Sequence, residues 1–261
     1  VDSPAGWFAG VEAQLWLWMI AMIRPGAAFF AAPVFGASQV PMQLRLIVAL
    51  AIGMPAIDMI HFQLPQEGIV SFAGVGLVMG EVLVGLALGF AVQIGFSAAT
   101  ISGEVIGNTM GLGFAGMVDP LSEHGTPALS QLFTILATFI FLAIGGHLSL
   151  ATIIVDSYRN LPPGHTWIDQ QGLRNLLLFG GDLFATGLAI ALPVGFSLVL
   201  VQIVMGMLSR SAPSMNLFAV GLPATLMAGL VLLAISAPGI GEGITAGIRR
   251  GLDAAHVLAG G

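Results

Sequence analysis

The sequence contains no cysteine, no lysine and a single tyrosine, and charges of either sign are scarce. Without cysteine there are no disulfides, no thiolate metal sites and no cysteine nucleophiles. Charged residues make up 8% of the chain, where a soluble domain carries roughly a quarter. That is too few to cover a globule of 261 residues, so lipid, partner subunits or both must satisfy its outside. The seven basic residues are all arginine and the formal net charge is −6, which argues against nucleic acid as a partner. Residues 1–14 lack the basic stretch of a cleavable signal peptide, so the first apolar segment is expected to act as its own insertion signal. A single domain over 1–261 is expected.

What is present is apolar: 57% hydrophobic residues and a mean hydropathy of +0.98. Crossing about 30 Å of hydrocarbon takes on the order of 20 apolar residues in a helix. By that rule the sequence predicts roughly six segments, near 13–35, 44–57, 69–99, 127–155, 176–208 and 215–240. The second is short and is cut by Pro55. Long continuous apolar runs lack the alternation of barrel strands, so the expected class is an all-α membrane protein in a lipid bilayer. Polar loops at 61–68 and 160–172 carry Pro and Gly. The stretch 103–125 fits neither category, being too rich in Gly for a clean helix and too apolar for an exposed loop. With six spans, Arg159, Arg174, Arg249 and Arg250 lie on the side of the termini and Arg45 and Arg210 on the other. By a small margin the positive-inside rule then places the termini in the cytoplasm.

Six charged residues stand in or beside apolar or Gly-rich stretches and are candidates for a buried charge or a subunit contact: Arg24, Glu81, Glu104, Asp119, Asp182 and Arg210. A charge at a helix centre costs about 2.5–3.5 kcal/mol on the insertion scale, while each Leu, Ile, Val or Phe returns roughly 0.3–0.6. The apolar neighbours of Glu81 therefore about offset it, without surplus. Two readings remain open for Glu81 and Asp182, an ion or proton site or a carboxylate facing a subunit or the interface. Arg24, followed by Pro25, raises the same question and is a candidate partner of Glu81. No two of the five histidines share the spacing that would make them ligands on one helical face, and no nucleophile–base arrangement can be assigned. Gly111–Gly116 formally matches GxGxxG, but no βαβ pattern surrounds it, so dinucleotide binding is rejected.

Gly103, Gly107 and Gly111 are spaced by four, as are Gly85 and Gly89, which lets helix backbones approach closely. Past Gly111, Gly113, Gly116 and Pro120 would break any helix. Non-helical backbone at membrane depth is tolerated where protein buries it or where it lines a cavity. A loop of Met110, Leu112, Phe114, Met117 and Val118 has the apolar, adaptable character needed to exclude water from a passage.

Three ordered stretches then resemble one family. Residues 103–120, GEVIGNTMGLGFAGMVDP, are similar to the central signature of the FliR family, the flagellar members of the FliR/SctT export-gate group of type III secretion systems. Residues 146–162, GHLSLATIIVDSYRNLP, resemble its Gly-His-Leu segment, and 210–223, RSAPSMNLFAVGLP, its Arg-x-Ala-Pro segment. Arg24, Pro33, Pro41 and Arg45 fit its opening pattern. Ser214 departs from it, standing where Gln commonly follows the Ala-Pro.

The resemblance implies kinked helical hairpins packed in a spiral, much of it above the membrane plane. It also implies a gate at the bacterial inner membrane, in the flagellar basal body, assembled with FliP-like and FliQ-like subunits and joined by an FlhB-like one. Unfolded axial flagellar proteins would be the cargo. Neither a cofactor nor catalysis by this chain is implied. Carried onto this sequence, the family's plug falls on about 107–118 and includes Met110, Gly111, Leu112, Gly113, Phe114, Met117 and Val118, with Gly103 and Gly107 packing helices before it. The Val-Asp-Pro and Gly-His-Leu pieces point to the flagellar rather than the virulence branch. Two other classes compete: a secondary transporter using Glu81 and Asp182, which should show an internal repeat, and an intramembrane enzyme.

Overall fold

An apolar chain in hydrocarbon has no water for its backbone N–H and C=O groups, so it must satisfy them internally, as a helix does. A computed structural model describes residues 4–57, 71–113, 128–164, 170–211 and 217–260. Among them lie seven helices: α1 Pro4–Ala31, α2 Met42–Ile57, α3 Phe72–Thr109, α4 Ala128–Ala143, α5 Gly146–Asn160, α6 Gln170–Ser211 and α7 Leu217–Leu258. No strand occurs among the described residues. The chain is thus an all-α membrane protein, as its composition predicts.

Three helices, α3, α6 and α7, are long and apolar enough to cross a membrane, and α4 with α5 forms a fourth candidate bent by 63°. That bend corrects the single segment expected over 127–155. It falls at Ile144–Gly145, where Gly145 takes a left-handed φ of 71°. At 1.5 Å per residue, α3 is roughly 57 Å long and α6 and α7 roughly 63 Å, about twice the hydrocarbon thickness of a bilayer. Leu177, Phe184, Phe196, Met207 and Ile235 are between 62% and 72% exposed. This surface needs lipid or partner protein against it.

Helix ends depart most from expectation. The segment expected over 69–99 does not stop at 99: α3 continues through Gly103 and Gly107 to Thr109. Nor does α7 stop near residue 240. It runs to Leu258 because Ile240, Ile244, Ile248, Gly251 and Ala255 recur at helical spacing on a buried stripe, while Glu242, Arg249, Arg250 and Asp253 face outward. Hydropathy counting overlooks such an amphipathic stretch, since its charged face lowers the mean while its apolar face keeps the helical period.

The contacts divide the chain into two units. The first comprises Val1–Ile94, Gly145–Phe179 and Arg249–Gly261. Within it a methyl group on Gly53 of α2 would collide with the carbonyl of Ala21 in α1, and one on Gly85 or Gly89 of α3 with the carbonyls of Arg24 or Ala28. These glycines let three helices touch backbone to backbone. Asn160, at the end of α5, donates from Nδ2 to the carbonyls of Ala259 and Gly260 at 3.1 Å each and so satisfies the C-terminal end of α7. The second unit comprises Gly95–Ile144 and Gly180–Ile248. There α3 meets α4 through a Thr100–Thr134 hydroxyl pair at 3.0 Å and a bond from Ser130 Oγ to the Thr100 carbonyl at 2.8 Å. Gly187 of α6 seats against Ile101, and Gly243 of α7 against Ile190.

Candidate functional site

Two places in the described chain concentrate unusual chemistry, one in each unit. In the first unit, Arg24 of α1 is fully buried. Its Nε donates to Glu81 Oε2 and its Nη2 to Glu81 Oε1, both at 2.9 Å, a two-point grip on a carboxylate that is itself fully buried. Nη1 donates to Ser157 Oγ at 2.8 Å and Nη2 also to the Leu161 carbonyl at 2.7 Å. The guanidinium carbon stands 4.0 Å above the ring of Tyr158. A planar fork of five donors suits this arrangement, whereas a lysine would supply a point charge. Leu161 caps the C-terminal end of α5, its N–H donating to the Ser157 carbonyl at 2.8 Å, and a cation at that end also complements the helix dipole.

Proline explains the remaining member. Pro25 lacks an N–H, so the carbonyl four residues earlier, at Ala21, loses its helical donor. Tyr158 Oη supplies one, at 3.1 Å. Ala21, Arg24, Glu81, Ser157 and Tyr158 thus join α1, α3 and α5 in one buried polar cluster. Both oxygens of Glu81 are engaged by Arg24, an arrangement that closes off the carboxylate rather than offering it to a travelling ion.

The second place is the C-terminal end of α3. The last four carbonyls of a helix lack intrahelical partners. Here Gly111, with φ 86°, donates to the Asn108 carbonyl at 3.1 Å and Leu112 to the Gly107 carbonyl at 3.0 Å. This 5→2 and 6→1 pair is the Schellman stop, which needs a left-handed residue at the position Gly111 occupies. Gln202 of α6 takes the third carbonyl, donating from Nε2 to Thr109 O at 2.7 Å. The fourth, Met110 O, lies 3.5 Å from Thr225 Oγ1. That hydroxyl proton has nearer acceptors in Leu222 O and Gly221 O, at 3.0 and 3.1 Å, so this contact is secondary. The Met110 side chain is buried against Gly229 of α7, where an added Cβ would stand 2.6 Å from Met110 Cε.

Of the residues expected to form a plug, Met110, Gly111, Leu112 and Gly113 are described; Phe114, Met117 and Val118 lie outside the described residues, as does Asp119. Met110 sits inside a helix junction, while Leu112 is half-buried and Gly113 exposed. A Cβ on Gly103 would come within 2.6 Å of Ser130 Cα, and Gly107 supplies the carbonyl that Leu112 bonds. Glu104, Asp182 and Arg210 are exposed, on α3, α6 and the last turn of α6 respectively. The sequence reading passed over Ser157, Tyr158 and Gln202. Signals for two of them exist: Tyr158 is the only tyrosine, and Gln202 is the lone amide in the charge-free run 183–209.

The description "Bacterial export proteins, family 1" matches this chain over residues 15–251. The chain is 33% identical over 238 residues to the flagellar biosynthetic protein FliR of Escherichia coli (strain K12), covering 89% of this chain and 87% of that protein. It is 29% identical over 220 residues to the flagellar biosynthetic protein FliR of Aquifex aeolicus (strain VF5), covering 84% of each. It is also 28% identical over 228 residues to the secretion system apparatus protein SsaT of Salmonella typhimurium (strain LT2), covering 85% and 88%.

Proposed function

Because the chain belongs to the bacterial export proteins, family 1, and to the FliR/SctT group within it, we propose that it is a subunit of the flagellar type III export gate in the bacterial inner membrane. Membership in a membrane-embedded export apparatus is the firm ground, resting on the family match and the apolar helices. The finer reading places the chain in the basal body with FliP-like, FliQ-like and FlhB-like subunits, passing unfolded axial proteins without catalysing a reaction. In this reading the segment from Met110 to Val118 plugs the closed conduit.

The observation that carries the plug assignment is the stop at Gly111. A 38-residue apolar helix ends at Thr109 on the cap that Gly111 builds. A loop leaving a firmly terminated helix has a defined origin, as a plug requires. Deleting Gly111–Met117 should make the purified, assembled gate conduct ions in a planar bilayer; conductance equal to that of the intact assembly would overturn the plug.

Similarity to SsaT supports a second reading, a gate of the virulence branch. Restored swimming in a strain lacking its own flagellar counterpart selects the flagellar branch. Failure there, with restored secretion through a virulence apparatus, selects the other.

A further inference from the structure

We infer that Gln202 of α6 and Gly229 of α7 are positioning residues of the gate: together they fix the C-terminal end of α3, and with it the point from which the chain departs at Leu112. This inference rests on the plug reading and extends it to residues on two other helices.

Gln202 stands among Val199, Leu200, Ile203 and Val204, all exposed apolar side chains, in a run that is charge-free from 183 to 209. Gln202 is exposed in the isolated chain, and once lipid or partner protein covers this apolar face a primary amide there is costly unless it is hydrogen-bonded. Its Nε2 donates at 2.7 Å to Thr109 O, one of the carbonyls that the Schellman pair leaves open. Amide and carbonyl therefore each remove the other's penalty. The bond joins α6 to the last helical residue of α3.

Gly229 does the steric half. Met110, the residue just past that helical end, is 2% exposed, and its Cε, Cγ and Sδ would lie 2.6, 2.7 and 2.9 Å from a Cβ placed on Gly229. The absent side chain is the notch into which Met110 fits. Hydrogen bond and notch act on consecutive residues, Thr109 and Met110, at the end of α3 but come from different helices. A shift of either helix must then move the origin of the loop.

The test uses the assembled complex, with this chain carrying Leu112→Cys as its only cysteine, spin-labelled, and Leu208→Cys on α6 as a control site. Gln202→Leu should loosen the Leu112 label and raise the ion leak by roughly two- to tenfold, the equilibrium worth of one hydrogen bond, while the Leu208 label stays unchanged. Gly229→Val should do the same by expelling Met110, and Met110→Ala in that background should restore the tight label. Gln202→Asn, one methylene too short to reach, serves where Gln202→Leu does not assemble. Wild-type label motion and leak in these variants, alongside a leaking Gly111–Met117 deletion, overturn the inference and leave the plug standing. A deletion that does not leak overturns the plug instead, and the Leu112 label then judges the anchor by itself.

Discussion

Tyr158 of α5 donates its hydroxyl hydrogen to the carbonyl of Ala21 in α1, the one carbonyl that Pro25 deprives of its helical donor. The proline and the tyrosine are complementary parts of one hydrogen bond, 137 residues apart in the chain along the Ala21–Tyr158 pair.

Tyr158→Phe keeps the ring over Arg24 but strands a buried carbonyl, at a cost of about 1–3 kcal/mol. In a Pro25→Ala background the new N–H supplies Ala21, and the same substitution should be close to neutral. Thermal melts of the purified assembly in the four combinations give the coupling. An equal cost in both backgrounds would refute this role for Tyr158.

Glu81→Gln leaves Arg24 charged and buried without its counter-ion, which costs about 3–5 kcal/mol. The paired change Arg24→Met with Glu81→Met removes both charges and should recover most of the loss, because a buried ion pair is often no better than an apolar pair of similar volume. Protease resistance in detergent reports both. A double variant as fragile as the single would show that Ser157 or Leu161, rather than charge pairing, governs the site.

Gly111→Ala forces a Cβ into the left-handed region, at about 1–2 kcal/mol, and should slow export, seen as smaller swimming halos. Among the described residues a Cβ on Gly113 meets the Asn108 side chain alone, which can swing aside, so Gly113→Ala should leave the halos at full size. The reverse ranking would mean that freedom after the turn, not the turn itself, is what export needs.

Gly103→Ala drives a methyl group to within 2.6 Å of the Ser130 Cα, backbone that cannot yield as a side chain tip does. Overpacking of this kind costs typically 1–3 kcal/mol, roughly, and should lower the yield of assembled complex on size-exclusion chromatography. Gly76→Ala, whose Cβ has nothing within 4 Å among the described residues, is the control; equal losses in both would point to backbone entropy instead of contact.

Much of this was legible in advance, and the rest was hidden for identifiable reasons. Apolar runs near 20 residues announce helices because hydrocarbon leaves the backbone no alternative, so the cores of α3, α6 and α7 fall where expected. Arg24 and Glu81 stood out because a lone charge in an apolar segment demands an account. Their pairing was a candidate only, since nothing in one chain's order relates position 24 to position 81. Ser157 and Tyr158 carry no such demand, being cheap to place almost anywhere. The apolar run was expected to end at 99 because Gly is frequent beyond it, yet α3 runs on to Thr109, since tight packing of a small residue offsets the roughly 1 kcal/mol that glycine costs a helix. At 144–145 an apolar run concealed a turn, because hydropathy counts glycine as nearly neutral and not as punctuation.

The Arg24 cluster also bears on the order in which the protein is made. Arg24 leaves the ribosome 57 residues ahead of Glu81 and 133 ahead of Ser157. At bacterial elongation speeds of about 5–20 residues per second, that is a wait of roughly 3–11 s for the carboxylate and 7–27 s for the hydroxyl. An unpaired guanidinium resists entering hydrocarbon throughout that interval, and it meets its carboxylate only once α3 has been made. A nascent chain stalled before Glu81 is therefore expected to leave Arg24 open to water-borne arginine reagents, and one stalled beyond Leu161 to hide it. Burial of the α1 guanidinium thus waits on helices made after it.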